Sequence, residues 1–187
     1  MLKRMIRGKS SHHGFSLIEL MVVVTLVGVL AAVAFPAFGT WIQDTKTRTV
    51  AEAIQNGVRL AQSEAVRRGR RVQFFLTDSV PDAGVATSTS GRNWGIQSMS
   101  LTNAAAVEEF IQGATLRGDG GSVTVLATSA VITFNSIGRV ILPATPTSYQ
   151  ITNANGSRRL NVTVSLAGGI RMCDPDKTRS SSSPDGC

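Results

Sequence analysis

Apolar residues occupy nearly every position of one stretch near the start of the chain, from Phe15 to Phe38. As an α-helix, which rises about 1.5 Å per residue, this stretch is long enough to cross the roughly 30 Å hydrocarbon core of a bilayer. Basic side chains precede it, and such residues favour the cytoplasmic side of a membrane. The pattern therefore predicts a single-pass helix over residues 15–38 with a cytoplasmic N-terminus.

After Pro36 the apolar residues recur with the three-and-four spacing of an amphipathic helix. This spacing predicts a helix that continues to about Arg68 and turns one apolar stripe towards a core. The stripe consists of Ile54, Val58, Ala61 and Ala65, and Trp41, Ile42 and Val50 are expected to extend it.

Four arginines, Arg67, Arg68, Arg70 and Arg71, surround Gly69 at the predicted end of this helix. Cations at a helix C-terminus complement the helix dipole, and a glycine there commonly ends the helix. A phosphate-binding site is the alternative interpretation of the cluster, and the helix-terminating role is the favoured one.

Beyond Arg71 the pattern changes to a period of two, which is typical of β-strands. The predicted strands cover residues 72–77, 93–97, 107–111, 122–127, 131–135, 140–142, 149–152, 159–166 and 170–172. Residues 153–156, Asn-Ala-Asn-Gly, have the composition of a hairpin turn between two of them. One helix followed by many short strands predicts an α+β fold in which an antiparallel sheet packs on the helix.

Charge and cysteine content narrow the functional classes. The formal net charge is +7, but several of the positive charges belong to the segment before Phe15, so the charge is weak evidence for nucleic-acid binding. Cys173 and Cys187 fit one disulfide in an oxidising compartment better than a metal site. The segment between them is too polar to order itself by burial. The disulfide therefore either ties this segment down or displays it to a partner.

No arrangement of residues in the sequence supports catalysis. The chain has no phosphate-binding loop and no nucleophile motif, and its two histidines, His12 and His13, lie in the basic segment. We therefore expect no enzymatic activity, no metal site, no cofactor and no small-molecule substrate.

A single carboxylate, Glu19, lies within the apolar stretch, where an ionisable group is costly unless it has a partner. A plain membrane anchor does not explain it. A signal peptide cut after residues 32–34, Ala-Val-Ala, would free a soluble domain that begins at Phe35. A cut between Gly14 and Phe15 would instead create an α-amine four residues before Glu19. The carboxylate can pair with that amine in its own chain or in a neighbouring subunit.

The segment Gly14-Phe15-Ser16-Leu17-Ile18-Glu19-Leu20 resembles the processing motif of type IV prepilins and type II secretion pseudopilins. The resemblance implies that prepilin peptidase cleaves after Gly14 and methylates the new N-terminal Phe15. It also implies that Glu19 helps to align subunits during assembly. Pro36 lies where pilins often carry a helix-kinking proline.

The C-terminal half resembles one branch of this family more weakly. Segments 134–139 and 165–173 are similar to H-type pseudopilins and to FimT/FimU minor pilins. The FimT kind captures DNA through a Gly-Arg-x-Arg motif. Residues 168–171, Gly-Gly-Ile-Arg, keep its final arginine, but Gly169 stands where the first arginine would be. The residues that stay candidates for DNA binding are Arg158, Arg159, Arg171, Lys177 and Arg179.

Pattern and resemblance together imply a division of the chain into four parts. These are a cleaved leader over residues 1–14, a long helix over 15–70, a β-rich domain over 71–172 and a cysteine-bounded loop over 173–187. Within the helix, residues 15–38 are expected to span the membrane and later to form part of a filament core.

The implied function is that of a minor pilin in a type IV pilus, near the tip or in an initiating complex. The implied partners are prepilin peptidase, other major and minor pilins and the inner membrane, with the globular domain in the periplasm before assembly. A DNA-binding competence pilin and a type II secretion pseudopilin are the alternatives.

Overall fold

The computed structural model describes residues 15–103, 106–116 and 122–187, and within its helix the side chains of residues 33–37 are not described. The chain divides into two compact units, Met1–Gly39 and Thr40–Cys187. The described part of the first unit is almost entirely helical, whereas the second contains the rest of the helix and all the strands.

One α-helix, α1, covers Leu17–Arg68, as the apolar pattern predicts. Ser16 caps its start, because its Oγ accepts a hydrogen bond from the backbone N–H of Glu19 at 3.3 Å. The helix continues through Pro36, and the expected kink at this proline stays a prediction.

The end of α1 is closed by Gly69, which has a positive φ of 64°. Its N–H donates to the carbonyl of Val66, and the N–H of Arg70 donates to the carbonyl of Ala65, both at 3.3 Å. These two bonds form a Schellman motif, in which glycine is favoured because the left-handed conformation strains other residues. The interpretation of this segment as a helix terminus is confirmed.

In the part of the chain that the structure describes, no helix is both long enough and apolar enough to cross a bilayer. The spanning segment that we expected over residues 15–38 is therefore not found among the described residues.

In the described ranges nine strands follow the helix, and each corresponds to one predicted from the alternating pattern. They are β1 (Val72–Thr77), β2 (Asn93–Met99), β3 (Val107–Thr115), β4 (Val123–Ala127), β5 (Val131–Phe134), β6 (Val140–Leu142), β7 (Thr147–Asn153), β8 (Leu160–Val164) and β9 (Ile170–Cys173). All the strand pairs are antiparallel, so the α+β class is confirmed.

The strands form two sheets, whereas the sequence led us to expect one. Sheet A has the order β3-β2-β1-β5-β6, and sheet B has the order β4-β7-β8-β9. The chain leaves sheet A for β4, returns for β5 and β6, and then completes sheet B. Strand alternation shows which residues face a core, but it does not show which strands are neighbours.

The core lies where α1 packs against both sheets. Ile54, Val58, Ala61 and Ala65 are fully buried there, which confirms the predicted stripe. A Cβ at Gly57 would lie only 2.9 Å from the Phe74 ring and 3.1 Å from Trp94, so this glycine allows the helix to approach sheet A closely. Small residues on this face therefore bring the helix within contact of large aromatic side chains.

Phe74 links the two sheets inside the core. Its ring stacks on Trp94 of the same sheet at a centroid distance of 5.9 Å and meets Tyr149 of sheet B edge to face at 5.8 Å. Such aromatic pairs stabilise a core by about 0.5–1.5 kcal/mol beyond the area that they bury. Burial also raises the pKa of the Tyr149 hydroxyl, which keeps it neutral.

Two residues that were expected to extend the apolar stripe lie outside the core. Trp41 is 65% exposed and Ile42 is 46% exposed, although Val50 is buried as predicted. A polar turn also meets the helix at this level. Ser157 in the β7–β8 turn donates its hydroxyl and its backbone N–H to Asp44, both at 2.8 Å.

The outer face of sheet A is covered as well, so all seven residues of β2 are buried. Residues 78–88 lie over this face. The N–H of Gly84 donates to Oε1 of Gln97 at 3.2 Å, and the N–H of Ser88 donates to the carbonyl of Leu76 at 2.9 Å. The turn-rich stretch after β1 is thus a cover for the sheet.

Gln62 on α1 holds one turn of each sheet. Its Nε2 donates to the carbonyl of Gly138 in the β5–β6 turn at 2.8 Å and to that of Gly168 in the β8–β9 turn at 2.9 Å. Val140 at the start of β6 also donates to the carbonyl of Leu166 at 3.1 Å. Segments 134–139 and 165–173, which carry the weaker family resemblance in the sequence, therefore meet at one glutamine.

Replacing Gln62 by alanine is expected to lower the free energy of unfolding by about 2 kcal/mol, because two carbonyls lose their donor. Urea denaturation of the purified protein measures this change. Ser63→Ala is the matched control, since the exposed Ser63 hydroxyl donates only to Leu60 of its own helix. Equal unfolding midpoints for the two variants would contradict the role of Gln62.

Candidate functional site

The residues predicted to direct assembly lie at the start of α1. Glu19 is in its first turn and exposed, and so are its neighbours Leu17 (78%), Ile18 (67%) and Leu20 (60%). Among the described residues, no cation lies within ion-pair distance of the Glu19 carboxylate. The predicted cleavage position Gly14 lies outside the described residues.

Glu19 is also the third residue of the helix, with Ser16 at the cap position. A serine cap followed three residues later by glutamate is the sequence of a capping box. The observed hydrogen bond from the Glu19 N–H to Ser16 is one half of that arrangement. The spacing of Ser16 and Glu19 in the sequence is the signal that could have predicted this cap. Ser16 therefore stabilises the start of α1, a role that the assembly motif alone does not suggest.

At the other end of the chain, Cys173 and Cys187 form the predicted disulfide. The segment that it closes is tied back to the end of β9 by backbone hydrogen bonds. The N–H of Asp174 donates to Asp185 at 2.7 Å, and the N–H of Cys187 donates to Asp174 at 3.1 Å. The disulfide-closed loop is therefore anchored on sheet B.

Three of the five basic residues proposed for DNA binding are engaged within this region. The Arg159 guanidinium pairs with Asp176, and the Lys177 ammonium lies 2.6 Å from Asp185 and 3.6 Å from Asp174. These aspartates raise the pKa values of Arg159 and Lys177, and Lys177 in turn lowers the pKa of Asp185.

The side chain of Arg171, the arginine of the partial Gly-Arg-x-Arg match, turns back onto the loop. Its Nη2 donates to the carbonyls of Pro184 and Gly186. Arg158 and Arg179 are exposed. Arg159, Arg171 and Lys177 thus make contacts with residues of the disulfide-closed loop. The binding of these cations to DNA stays a prediction.

Three of the four arginines at the end of α1 are likewise paired. Arg67 and Arg68 both bond Glu64, Arg68 also reaches Glu109, and Arg70 pairs with Glu108. The hydrogen bonds from Arg67 and Arg68 lower the pKa of Glu64 from 4.5 to about 2. Glu108 and Glu109 belong to β3, so these pairs join the helix end to the outer strand of sheet A.

A polar clasp between α1 and the β7–β8 turn was not predicted. Asp44 accepts three hydrogen bonds, from the hydroxyl and N–H of Ser157 and from the N–H of Arg158. Burial alone would raise the pKa of Asp44, but these bonds outweigh it, so its pKa lies below the ordinary value. Gln43, next along the helix, accepts from the side-chain amide of Asn153.

Two family models match the sequence. The family described as Type II transport protein GspH matches residues 50–168, which is more than half of the chain, and the Prokaryotic N-terminal methylation motif matches residues 9–35. The fimbrial protein of Pseudomonas aeruginosa is 31% identical over 142 residues, which cover 73% of this chain and 90% of that protein.

The chain belongs to the type IV pilin and type II secretion pseudopilin family. The type IV major alpha-pilin of Moraxella bovis is a further relative, 31% identical over 121 residues that cover 64% of this chain and 69% of that pilin. Members of the family are structural subunits that assemble with other pilins, and the methylation motif implies processing by prepilin peptidase.

Solved structures agree with this pilin-like fold. The type IV minor pilin FimU of Pseudomonas aeruginosa superposes with a TM-score of 0.53 at 20% identity, covering 75% of this chain and 98% of FimU. The minor pseudopilin EpsH of the Vibrio cholerae type 2 secretion system superposes with a TM-score of 0.51 at 14% identity, covering 71% of this chain and 99% of EpsH. At these identities the superpositions establish the shared fold.

Glu64→Gln is expected to lower the free energy of unfolding at pH 7 by about 1 kcal/mol, because Arg67 and Arg68 lose a charged acceptor. The folded-state pKa of Glu64 is depressed, so its contribution is present above pH 4.5 and is lost as the pH falls towards about 2. Denaturation of both proteins at several pH values measures the difference.

Glu52→Gln serves as the control, because Glu52 pairs only with the exposed Arg48. Its effect should be smaller and nearly independent of pH. A wild-type advantage over Glu64→Gln that stays constant between pH 5 and pH 2.5 would contradict the ion-pair account.

Proposed function

We propose that this chain is a minor pilin of a type IV pilus, which is cleaved after Gly14 and methylated at Phe15. It then enters the filament near the tip or in an initiating complex with other major and minor pilins. The fimbrial relatives support the pilus assignment, and the methylation motif over residues 9–35 includes both positions at the cut.

The observation that carries this proposal is the exposed apolar surface at the start of α1. From Leu17 to Leu30, the large apolar side chains expose half or more of their surface. Soluble monomers rarely leave so much contiguous apolar surface uncovered, so such a surface marks a site of association. Helices of neighbouring subunits cover it in the filament, and membrane lipid covers it before assembly.

Glu19 fixes how neighbouring subunits align along this surface. It is the only charged residue between Phe15 and Gln43. A carboxylate within apolar surroundings costs roughly 2.5–3.5 kcal/mol unless it is paired. Cleavage after Gly14 supplies an α-amine at Phe15, and a subunit that places its own amine beside the carboxylate of its neighbour removes that cost.

Before assembly, we place the N-terminus in the cytoplasm, the apolar segment in the inner membrane and residues 40–187 in the periplasm. The disulfide between Cys173 and Cys187 supports this location, because such bonds persist in oxidising compartments and are rare in the cytosol. The loop that they close would then face outwards from the filament.

A type II secretion pseudopilin is a second candidate, favoured by the match of the GspH family over residues 50–168. The chemistry of the helix is the same in both systems, so α1 does not discriminate between them. Twitching motility reports on a pilus, and enzyme export reports on a secretion system.

Glu19→Ala is expected to leave cleavage intact but to lower the amount of this chain in sheared filaments about tenfold, which corresponds to about 1.4 kcal/mol of assembly energy. Immunoblots of the filament and membrane fractions measure incorporation and processing together. Glu52→Ala is the matched control, because it removes a carboxylate from the same helix outside the apolar segment.

Normal incorporation of Glu19→Ala would refute the proposed role of Glu19. Twitching and enzyme export are measured in the same strains. A loss of export with unchanged twitching would assign the chain to secretion instead of the pilus.

A further inference from the structure

A groove lies beside the exposed residues Trp41 and Ile42. It encloses about 390 Å³ and belongs wholly to the Thr40–Cys187 unit. We name it the helix groove. Its lining includes Trp41, Ile42, Thr45, Lys46 and Thr49 of α1 and Leu116, which directly follows β3.

The helix groove is apolar although it contains threonines. The Thr45 hydroxyl donates to the carbonyl of Trp41 at 2.9 Å, and the Thr49 hydroxyl donates to the carbonyl of Thr45 at 3.0 Å. Because both hydroxyls are satisfied within α1, the threonines offer a partner chiefly their methyl groups. Water forms few hydrogen bonds with such a lining. An apolar side chain that binds there removes apolar surface from water, and this burial stabilises the complex.

Lys46 lies in the groove and is half-buried. In the described residues, its ammonium makes no hydrogen bond or ion pair. The nearest acids in the helix sequence are committed elsewhere, since Asp44 accepts hydrogen bonds from Ser157 and Arg158, and Glu52 pairs with Arg48. The groove therefore combines an apolar cavity with a half-buried cation that pairs with no carboxylate among the described residues.

The size of the helix groove limits its occupant. Pockets for small ligands range from roughly 300 to 1,000 Å³, and this groove is near the lower end of that range. It has room for one or two apolar side chains and is too small for a whole helix. Its charge calls for an acid beside them.

We propose that the helix groove binds a neighbouring filament subunit through an apolar side chain that has a carboxylate one or two residues away. The apolar side chain fills the cavity, and the carboxylate pairs with Lys46. This inference rests on the proposed function, because it takes the occupant to be another pilin. The acid is argued from charge complementarity, because Lys46 is the cation that lines the groove.

The first test compares Lys46→Glu, Lys46→Arg and Arg59→Glu in the full-length chain. Lys46→Glu is expected to lower recovery in sheared filaments about tenfold, because like charges then face each other across the contact. Lys46→Arg keeps the charge and should assemble normally. Arg59→Glu makes the same charge change at an exposed position of α1 outside the groove and should also assemble normally. Equal recovery of all three variants would overturn the proposal.

The second test does not depend on how the substitutions affect stability. The photoreactive residue p-benzoylphenylalanine replaces Thr49 in full-length chains within cells that make filaments, and mass spectrometry identifies the cross-linked peptide. The expected peptide comes from another pilin subunit and carries the cross-link on an apolar residue within two positions of Asp or Glu. The cross-link should disappear when Lys46→Glu is combined with it.

A cross-link to lipid or to a pilin segment without an acid would overturn the proposal. So would the absence of a cross-link in filaments that contain the chain. These outcomes are distinct from failure of the proposed function, in which the unmodified chain itself would be missing from filaments.

Discussion

The fold depends on the packing of one face of α1 against two separate sheets. Small residues on this face, with Gly57 at the closest approach, allow the rings of Phe74 and Trp94 to lie directly against the helix. Gln62 then fixes a turn from each sheet with two hydrogen bonds from one amide. The segments that carry these turns also bond each other, because the N–H of Val140 donates to the carbonyl of Leu166 at 3.1 Å.

The same helix begins with a segment that has no such cover. Apolar side chains from Leu17 to Leu30 are exposed, and Glu19 is the one acid among them. In the proposed assembly, other subunits would supply both the apolar cover and, after processing, the amine. The helix would then be stabilised by its own sheets in one unit and by other molecules in the other.

The sequence predicts local features well, because periodicity and capping act over a few residues. It indicated the buried stripe from Ile54 to Ala65, the Gly69 terminus and all nine strands. It did not reveal that two sheets form, since strand order depends on contacts between distant segments. It also did not reveal the Asp44 clasp with Ser157, which joins residues more than a hundred positions apart. Arg159 and Lys177 were candidates for DNA binding, and the fold places aspartates beside them.

The central claim is that cleavage provides the cation that makes Glu19 tolerable in an apolar environment. The intact mass of this chain, isolated from sheared filaments, tests the claim most directly. The account predicts a chain that begins at Phe15 and carries one methyl group on its α-amine. A chain that begins at Phe35, or one that retains residues 1–14 in assembled filaments, would contradict it.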